Sequence, residues 1–72
     1  MGNLMYDVHM YRAGQYEPWY IETGLSLRCA IHAFFDEKWL MEPGDMFKIA
    51  IQGTSNPCVI IQCTNTGFKR TV

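Results

Sequence analysis

The stretch GLSLRCAIHAFF, residues 24–35, decides the fold because it joins a strand to a helix. Gly24 ends the strand, and the Ser26 hydroxyl can accept a hydrogen bond from the first helical turn. The apolar side chains that follow recur at helical spacing and form one stripe: Leu27, Ala30, Ile31, Phe34 and Phe35. We therefore expect a helix from about Leu27 to about Met41, with Leu27, Ala30 and Ile31 in the core.

Four segments around this helix have strand character. Two precede it and two follow it: LMYDVHMYR (Leu4–Arg12), YEPWYIET (Tyr16–Thr23), MFKIAIQ (Met46–Gln52) and CVIIQCT (Cys58–Thr64). Because Pro18 has no N–H for a ladder, the second segment lies at a sheet edge or begins after the proline. The predicted fold class is α+β: a small ββαββ domain, with an antiparallel sheet and one helix packed on one face.

Length and composition indicate a single folded domain over residues 1–72, with residues 65–72 as a flexible tail. The chain is 49% hydrophobic and 18% charged, which is typical of a folded protein. A chain of 72 residues has a small core, yet this one carries four Phe, four Tyr, two Trp and five Met. We therefore expect a protein partner or a homodimer to cover part of the apolar surface.

Charge and cysteine content narrow the classes of partner and compartment. The net charge is −1, and the cations Lys69 and Arg70 near the end of the chain leave the rest more acidic. An acidic body favours a protein partner over nucleic acid. The three cysteines are an odd number, and we find no signal peptide and no apolar run long enough to span a bilayer. A reduced, cytoplasmic protein without a membrane segment follows as the expectation.

Catalytic and metal sites are the weaker interpretations of the polar residues. Cys29 and His32 lie three apart on the helix and could reach one metal, but a structural zinc needs four ligands. Cys29, His32 and Asp36 could share a helix face, but one helix supplies neither an oxyanion hole nor a substrate cleft. We therefore predict no enzyme, no metal and no cofactor.

Aromatic side chains at the margins of the helix stripe are the candidate partner contacts. Phe34 and Phe35 are adjacent and point about 100° apart, so both cannot face the sheet. Aromatic residues in such positions are typical interface anchors. The predicted partner-binding residues combine these rings with nearby acidic side chains: Trp19, Tyr20, Phe34, Phe35, Trp39, Glu17, Glu22, Asp36 and Glu37.

One family resembles the first part of the chain. YDVHM (Tyr6–Met10), a glycine turn at Gly14, a tyrosine-rich second strand and GLSL (Gly24–Leu27) resemble the small dimeric phage inhibitors of uracil-DNA glycosylase. The resemblance implies a ββαβ protomer, a homodimer, and inhibition by occupying the DNA-binding surface of the enzyme. The acidic position of that family on strand two corresponds to Tyr20 here, and its two helix aromatics correspond to Ala30 and Phe34.

The leading hypothesis is a small phage or mobile-element protein in the host cytoplasm that inhibits a host protein by steric blockade. The target would be a nucleic-acid enzyme, such as uracil-DNA glycosylase, or a defence complex. An anti-CRISPR-type inhibitor of another target is one alternative. A second alternative is a small sheet-based nucleic-acid-binding protein that uses Tyr and Trp rings with Lys48, Lys69 and Arg70.

Overall fold

The computed structural model describes residues 4–54 and 57–71. In chain order, the elements in these ranges are β1 (Tyr6–Tyr11), β2 (Tyr20–Leu25), α1 (Leu27–Glu37), a 3₁₀ turn (Lys38–Leu40), β3 (Met46–Ile51), β4 (Pro57–Thr64) and β5 (Gly67–Arg70). The predicted α+β class is confirmed, with one helix and one antiparallel sheet. No helix among the described residues has the length and apolar character that crossing a membrane requires.

The five strands form one sheet in the order β2-β1-β3-β4-β5. Because β2 and β3 both pair antiparallel with β1, they run in the same direction, and α1 carries the chain over β1 from one to the other. The helix packs mainly on β1 and β2. Farther across the same face, the Phe34 side chain of α1 contacts Phe47 of β3 and Phe68 of β5.

Gly24 does not end the second strand, which corrects the prediction. β2 begins at Tyr20, after Pro18, and continues to Leu25. Across the β1–β2 pair the register shifts, and Gly24 lies in this irregular stretch with φ of +71°. A glycine at positive φ lets the strand take up an extra residue as a β-bulge and still reach the helix.

The helix begins as the sequence indicates. Ser26 is the N-cap, and its Oγ accepts a hydrogen bond from the Cys29 N–H at 3.1 Å. The α-helical part ends at Glu37, and the 3₁₀ turn tightens the chain before Met41, which is extended. Helical geometry therefore ends close to the predicted residue, although the last turn is not α-helical.

The core lies between α1 and the middle of the sheet. Its buried side chains are Val8, Met10, Ala30, Ala33, Phe34, Met41, Phe47, Ile49 and Cys63. Leu27 and Ile31 are exposed, so the prediction that both are core residues is wrong. The side of α1 that meets the sheet centres on Ala30, Ala33 and Phe34, so Leu27 and Ile31 lie on a flank of the helix that stays exposed.

Asp45 joins the two turns at one end of the sheet. Its carboxylate accepts hydrogen bonds from Arg12 Nη1 at 2.7 Å, from the Glu42 N–H at 2.9 Å and from the Ala13 N–H at 3.1 Å. Gly44 makes the close approach of these turns possible, since a Cβ there would lie 2.7 Å from Ala13 Cβ. Asp45 is the one buried charged side chain among the described residues.

The region predicted as a flexible tail, residues 65–72, contains β5 instead. Cys63 pairs with Phe68 and Thr64 with Gly67, which closes a tight hairpin, and the Thr71 N–H donates to Ile60 O at 2.9 Å. Val72, at the end of the predicted tail, lies outside the described residues. So do residues 55 and 56 of the predicted GTSNP loop.

The sheet face opposite α1, here called the open face, is not covered by any element of the described chain. Val8, Met10, Phe47 and Ile49 point toward the helix, so the side chains that alternate with them point the other way. They include His9, Tyr11, Lys48 and Ile60, which the register places on neighbouring strands. This face is mixed in character, with rings, cations and aliphatic groups.

Candidate functional site

The two adjacent phenylalanines of α1 take opposite roles. Phe34 is 8% exposed. Its ring makes edge-to-face contacts with the rings of Phe47 and Phe68, and each of these centroids lies 5.2 Å from the Phe34 centroid. Phe35 is 53% exposed and leans on Phe34 at 5.4 Å. Of the two predicted contact rings, Phe35 is therefore the one presented to solvent, and Phe34 is a core residue that supports it.

Phe35, Trp39 and Phe68 form an exposed surface that we call the aromatic patch. Trp39 is 81% exposed and Phe68 is 43% exposed. Phe35 and Phe68 both contact the Phe34 ring, and the Lys38 Nζ lies 5.2 Å from the Phe35 centroid and 5.0 Å from the Trp39 centroid. The rigid ring of Phe34 thus fixes two rings of the patch, while Lys38 bridges Phe35 and Trp39 by cation–π contacts.

A groove of about 470 Å³ runs along the other flank of α1, between the helix and β2, and we call it the acidic groove. Its lining residues are Tyr20, Glu22, Leu25, Arg28, Cys29, His32, Ala33, Asp36 and Glu37. It brings together four of the predicted contact residues, three of which are carboxylates. Among the described residues, none of these carboxylates forms an ion pair, although Arg28 also lines the groove.

The pKa of Tyr20 is raised in part by the negative charges of the acidic groove. Its hydroxyl donates a hydrogen bond to Glu22 Oε2 at 2.8 Å. Burial, this hydrogen bond and the charges of Glu22, Glu37 and Asp36 together raise the pKa of Tyr20 to about 12. The carboxylate charges among these causes favour a cation over an anion in the groove, whereas burial disfavours a charge of either sign.

Trp19 and Glu17 do not line the acidic groove, although the Trp19 ring lies 6.3 Å from the ring of Tyr20, which does. The Arg12 guanidinium stacks on the Trp19 ring, 4.3 Å from its centroid, while Arg12 Nη1 bonds to Leu40 O and Asp45. Trp19 is therefore held against the turns beside Asp45. Glu17 is exposed in the segment between β1 and β2. The structure therefore places Trp19 next to a residue of the groove, and Glu17 is not among the lining residues.

The residues considered for catalysis and metal binding line the acidic groove but are not joined by hydrogen bonds. Among the described residues, no bond connects the Cys29 thiol to His32, or His32 to Asp36, and no group of three or more ligating side chains could hold a metal ion. All three cysteines are free, with Cys29 exposed and Cys63 buried.

Sequence reasoning missed Phe68 and the residues that complete the groove. Phe68 lies in a four-residue strand within the predicted tail, and a glycine before it was the one local signal of a turn. Leu25 and Arg28 line the groove at the joint where β2 meets α1. The sequence predicts this joint, but not that the side chains around it enclose a groove.

Comparison with known proteins found no family model, no characterised protein and no solved structure that matches this chain. The candidate surfaces are therefore interpreted from their own chemistry.

Proposed function

We propose that this chain is a non-catalytic inhibitor that binds a host protein and blocks it sterically. In this proposal it is a phage or mobile-element protein acting in the host cytoplasm, and its target is a nucleic-acid enzyme or a defence complex. Uracil-DNA glycosylase is the first target to test, because YDVHM and GLSL resemble the phage inhibitors of that enzyme. An anti-CRISPR-type target is the alternative within the same mode of action.

The aromatic patch is the observation that carries this proposal. An aromatic side chain buries about 150–250 Å² when covered, so the exposed parts of Phe35, Trp39 and Phe68 offer about 350 Å² of apolar surface. The largest apolar patch on a typical monomer covers about 300–600 Å² and is often functional. Trp is also the residue most enriched among energetically dominant interface contacts. We infer that Trp39 is the anchor of the contact.

The acidic groove supports the proposal that the target presents a basic surface. The groove lies on the flank of α1 opposite the aromatic patch. A partner that binds around the helix would therefore contact both the groove and the patch. Charged groups beside an apolar anchor chiefly raise the association rate and exclude partners of the same charge. A protein that binds the phosphates of DNA or RNA presents a basic surface of this kind.

The test places a photo-cross-linking amino acid at position 39, with position 16 as the matched control. Both native side chains are highly exposed, at 81% for Trp39 and 97% for Tyr16, so neither replacement disturbs the core. We expect a discrete cross-linked host protein from position 39 and none from position 16. Equal labelling from both positions, or none from position 39, contradicts a contact through the aromatic patch.

A functional assay then follows on the purified target. With uracil-DNA glycosylase, the wild-type chain should reduce uracil excision, and the double substitution Phe35→Ala and Trp39→Ala should weaken inhibition by at least tenfold. Full glycosylase activity at micromolar inhibitor rules out this enzyme. The same assay on the protein identified by cross-linking then decides whether binding also inhibits.

A further inference from the structure

The open face ends in a pocket of about 320 Å³ where the β1–β2 turn meets the start of β3. The side chains that line it are Tyr11, Arg12, Gln15, Tyr16, Met46 and Lys48, together with Gly14 and Gly44. None of these lining residues carries a carboxylate. The pocket therefore has the opposite electrostatic character from the acidic groove, which lies on the other side of the sheet.

Lys48 provides the uncompensated positive charge of this pocket. Its Nζ lies 4.8 Å from the Tyr11 ring centroid, and it forms no ion pair among the described residues. Arg12 also lines the pocket, but Asp45 balances its charge at 2.7 Å. An anion that enters the pocket would therefore pair with Lys48 and not with Arg12.

The rings give the pocket its second property. Tyr16 is almost fully exposed, and Tyr11 is half-buried with its face against the Lys48 ammonium. Tyrosine rings are surfaces on which nucleobases stack, and the Gln15 amide can both donate to and accept from a base edge. We propose that this pocket binds a nucleoside phosphate, with the base stacked on a tyrosine ring and the phosphate held by Lys48.

The ligand could be a free nucleotide or one unit of a single strand. The open face continues from the pocket across β4 to β5, since Met46 pairs with Gln62 and Gln62 pairs with Lys69. Two strand spacings place the Lys69 backbone about 10 Å from that of Met46. A strand that starts in the pocket would meet Lys69 as a second cation. This proposal is independent of the aromatic patch and of a protein target.

The experiment measures binding of a mononucleotide and of a fluorescent eight-nucleotide single strand, by NMR shift mapping and by anisotropy over a range of salt. We expect amide shifts at residues 11–16 and 46–48. Tyr16→Ala should weaken binding about tenfold through lost stacking. Lys48→Gln should lower the slope of log affinity against log salt for the single strand by about 0.7. Tighter binding of the strand than of the mononucleotide identifies the strand as the ligand, and equal binding identifies the free nucleotide.

Lys38→Gln is the matched control. Lys38 also lies over an aromatic ring, at 5.2 Å from the Phe35 centroid, but it belongs to the helix side of the molecule. The substitution Lys38→Gln should leave nucleotide binding unchanged. The proposal is overturned if Lys38→Gln weakens binding as much as Lys48→Gln does, if neither ligand shifts the pocket amides, or if phosphotyrosine binds as tightly as the mononucleotide.

Discussion

At the scale of single residues, Asp45 should be the polar side chain on which stability depends most. Asp45→Asn removes the charge and places an amide group among donors that need acceptors. We expect a loss of about 2 kcal/mol in the free energy of unfolding, as for hydrogen bonds to charged groups. Urea unfolding at pH 7 measures it, with the exposed Asp36→Asn as control. A loss no larger than that of the control contradicts this role.

The same carboxyl should give stability a dependence on acid pH. Burial raises the pKa of Asp45, but the hydrogen bonds from the Glu42 N–H, Arg12 and the Ala13 N–H outweigh it, so the pKa is lowered from the usual 3.8. The contribution of the Asp45 carboxylate to the free energy of unfolding is therefore present above pH 3.8 and is lost as the pH falls through the lowered pKa. The difference between wild type and Asp45→Asn should shrink when urea unfolding is repeated below that pH.

Tyr20 should be the tyrosine that ionises last. Its pKa of about 12 follows from burial, the hydrogen bond to Glu22 and the surrounding carboxylates. Glu22→Gln removes the charged acceptor, so the pKa of Tyr20 should fall toward 10, which an NMR titration of the ring resonances can follow. Because the folded protein favours the protonated hydroxyl, Tyr20 contributes to the free energy of unfolding at lower pH. This contribution is lost as the pH rises through about 12. An unchanged midpoint in Glu22→Gln contradicts the role of Glu22.

At the scale of elements, the helix should respond very differently to truncation of its two phenylalanines. Phe34→Ala empties a buried site and should cost about 3–5 kcal/mol. Phe35→Ala alters an exposed ring and should cost less than about 1 kcal/mol. Urea unfolding of both variants measures the two losses in the free energy of unfolding. Similar losses would mean that the helix is rotated from the orientation described above.

Strand β5 should contribute measurably to stability although it lies at the sheet edge. A chain that ends at Thr66 loses the pairing with β4 and the Phe68 ring that covers Phe34. Since this ring is more than half buried, we expect a loss of about 2 kcal/mol in the free energy of unfolding. A change within about 0.5 kcal/mol would indicate that residues 65–72 are a tail, as the sequence predicts.

At the scale of the whole molecule, the aromatic patch should also govern self-association. The protomer is elongated, 42 × 22 × 19 Å, and a stable dimer needs about 800 Å² from each copy, which the patch and its rim could supply. We propose that the free chain is a homodimer, that the host protein displaces the second copy from the aromatic patch, and that Trp39→Ser shifts the free chain toward monomer. Sedimentation velocity at several concentrations measures this. A monomeric wild type at 100 μM contradicts the proposed dimer.

The sequence predicts the elements that local chemistry determines. Ser26 gives the helix start, and the alternation in β3 gives its buried face with Phe47 and Ile49. The errors concern long-range placement. Leu27 and Ile31 fit the helical stripe, but α1 lies over β1 and β2 and leaves their side of the helix open. Nothing in residues 27–35 encodes which strands lie beneath the helix.

The arrangement of the candidate site was not predictable from the sequence. Of the nine residues predicted as partner contacts, Tyr20, Glu22, Asp36 and Glu37 line one groove, whereas Trp19 and Glu17 do not line it. Whether Phe34 or Phe35 faces outward depends on the position of Phe47 and Phe68, which are 13 and 34 residues beyond Phe34 in the chain. Contacts at that separation follow from the topology and leave no local pattern.

The position of β1 between β2 and β3 has a consequence for how the chain folds. The β1–β2 and β3–β4–β5 units can each form from neighbouring segments. In contrast, β1 meets β3 through pairs that are 35 residues apart at Tyr11–Met46 and 45 residues apart at Tyr6–Ile51. Closing that separation loses chain entropy before any core contact offsets it. We therefore expect docking of the two units to limit the folding rate. During synthesis, one edge of β1 stays unpaired until Met46–Ile51 has left the ribosome.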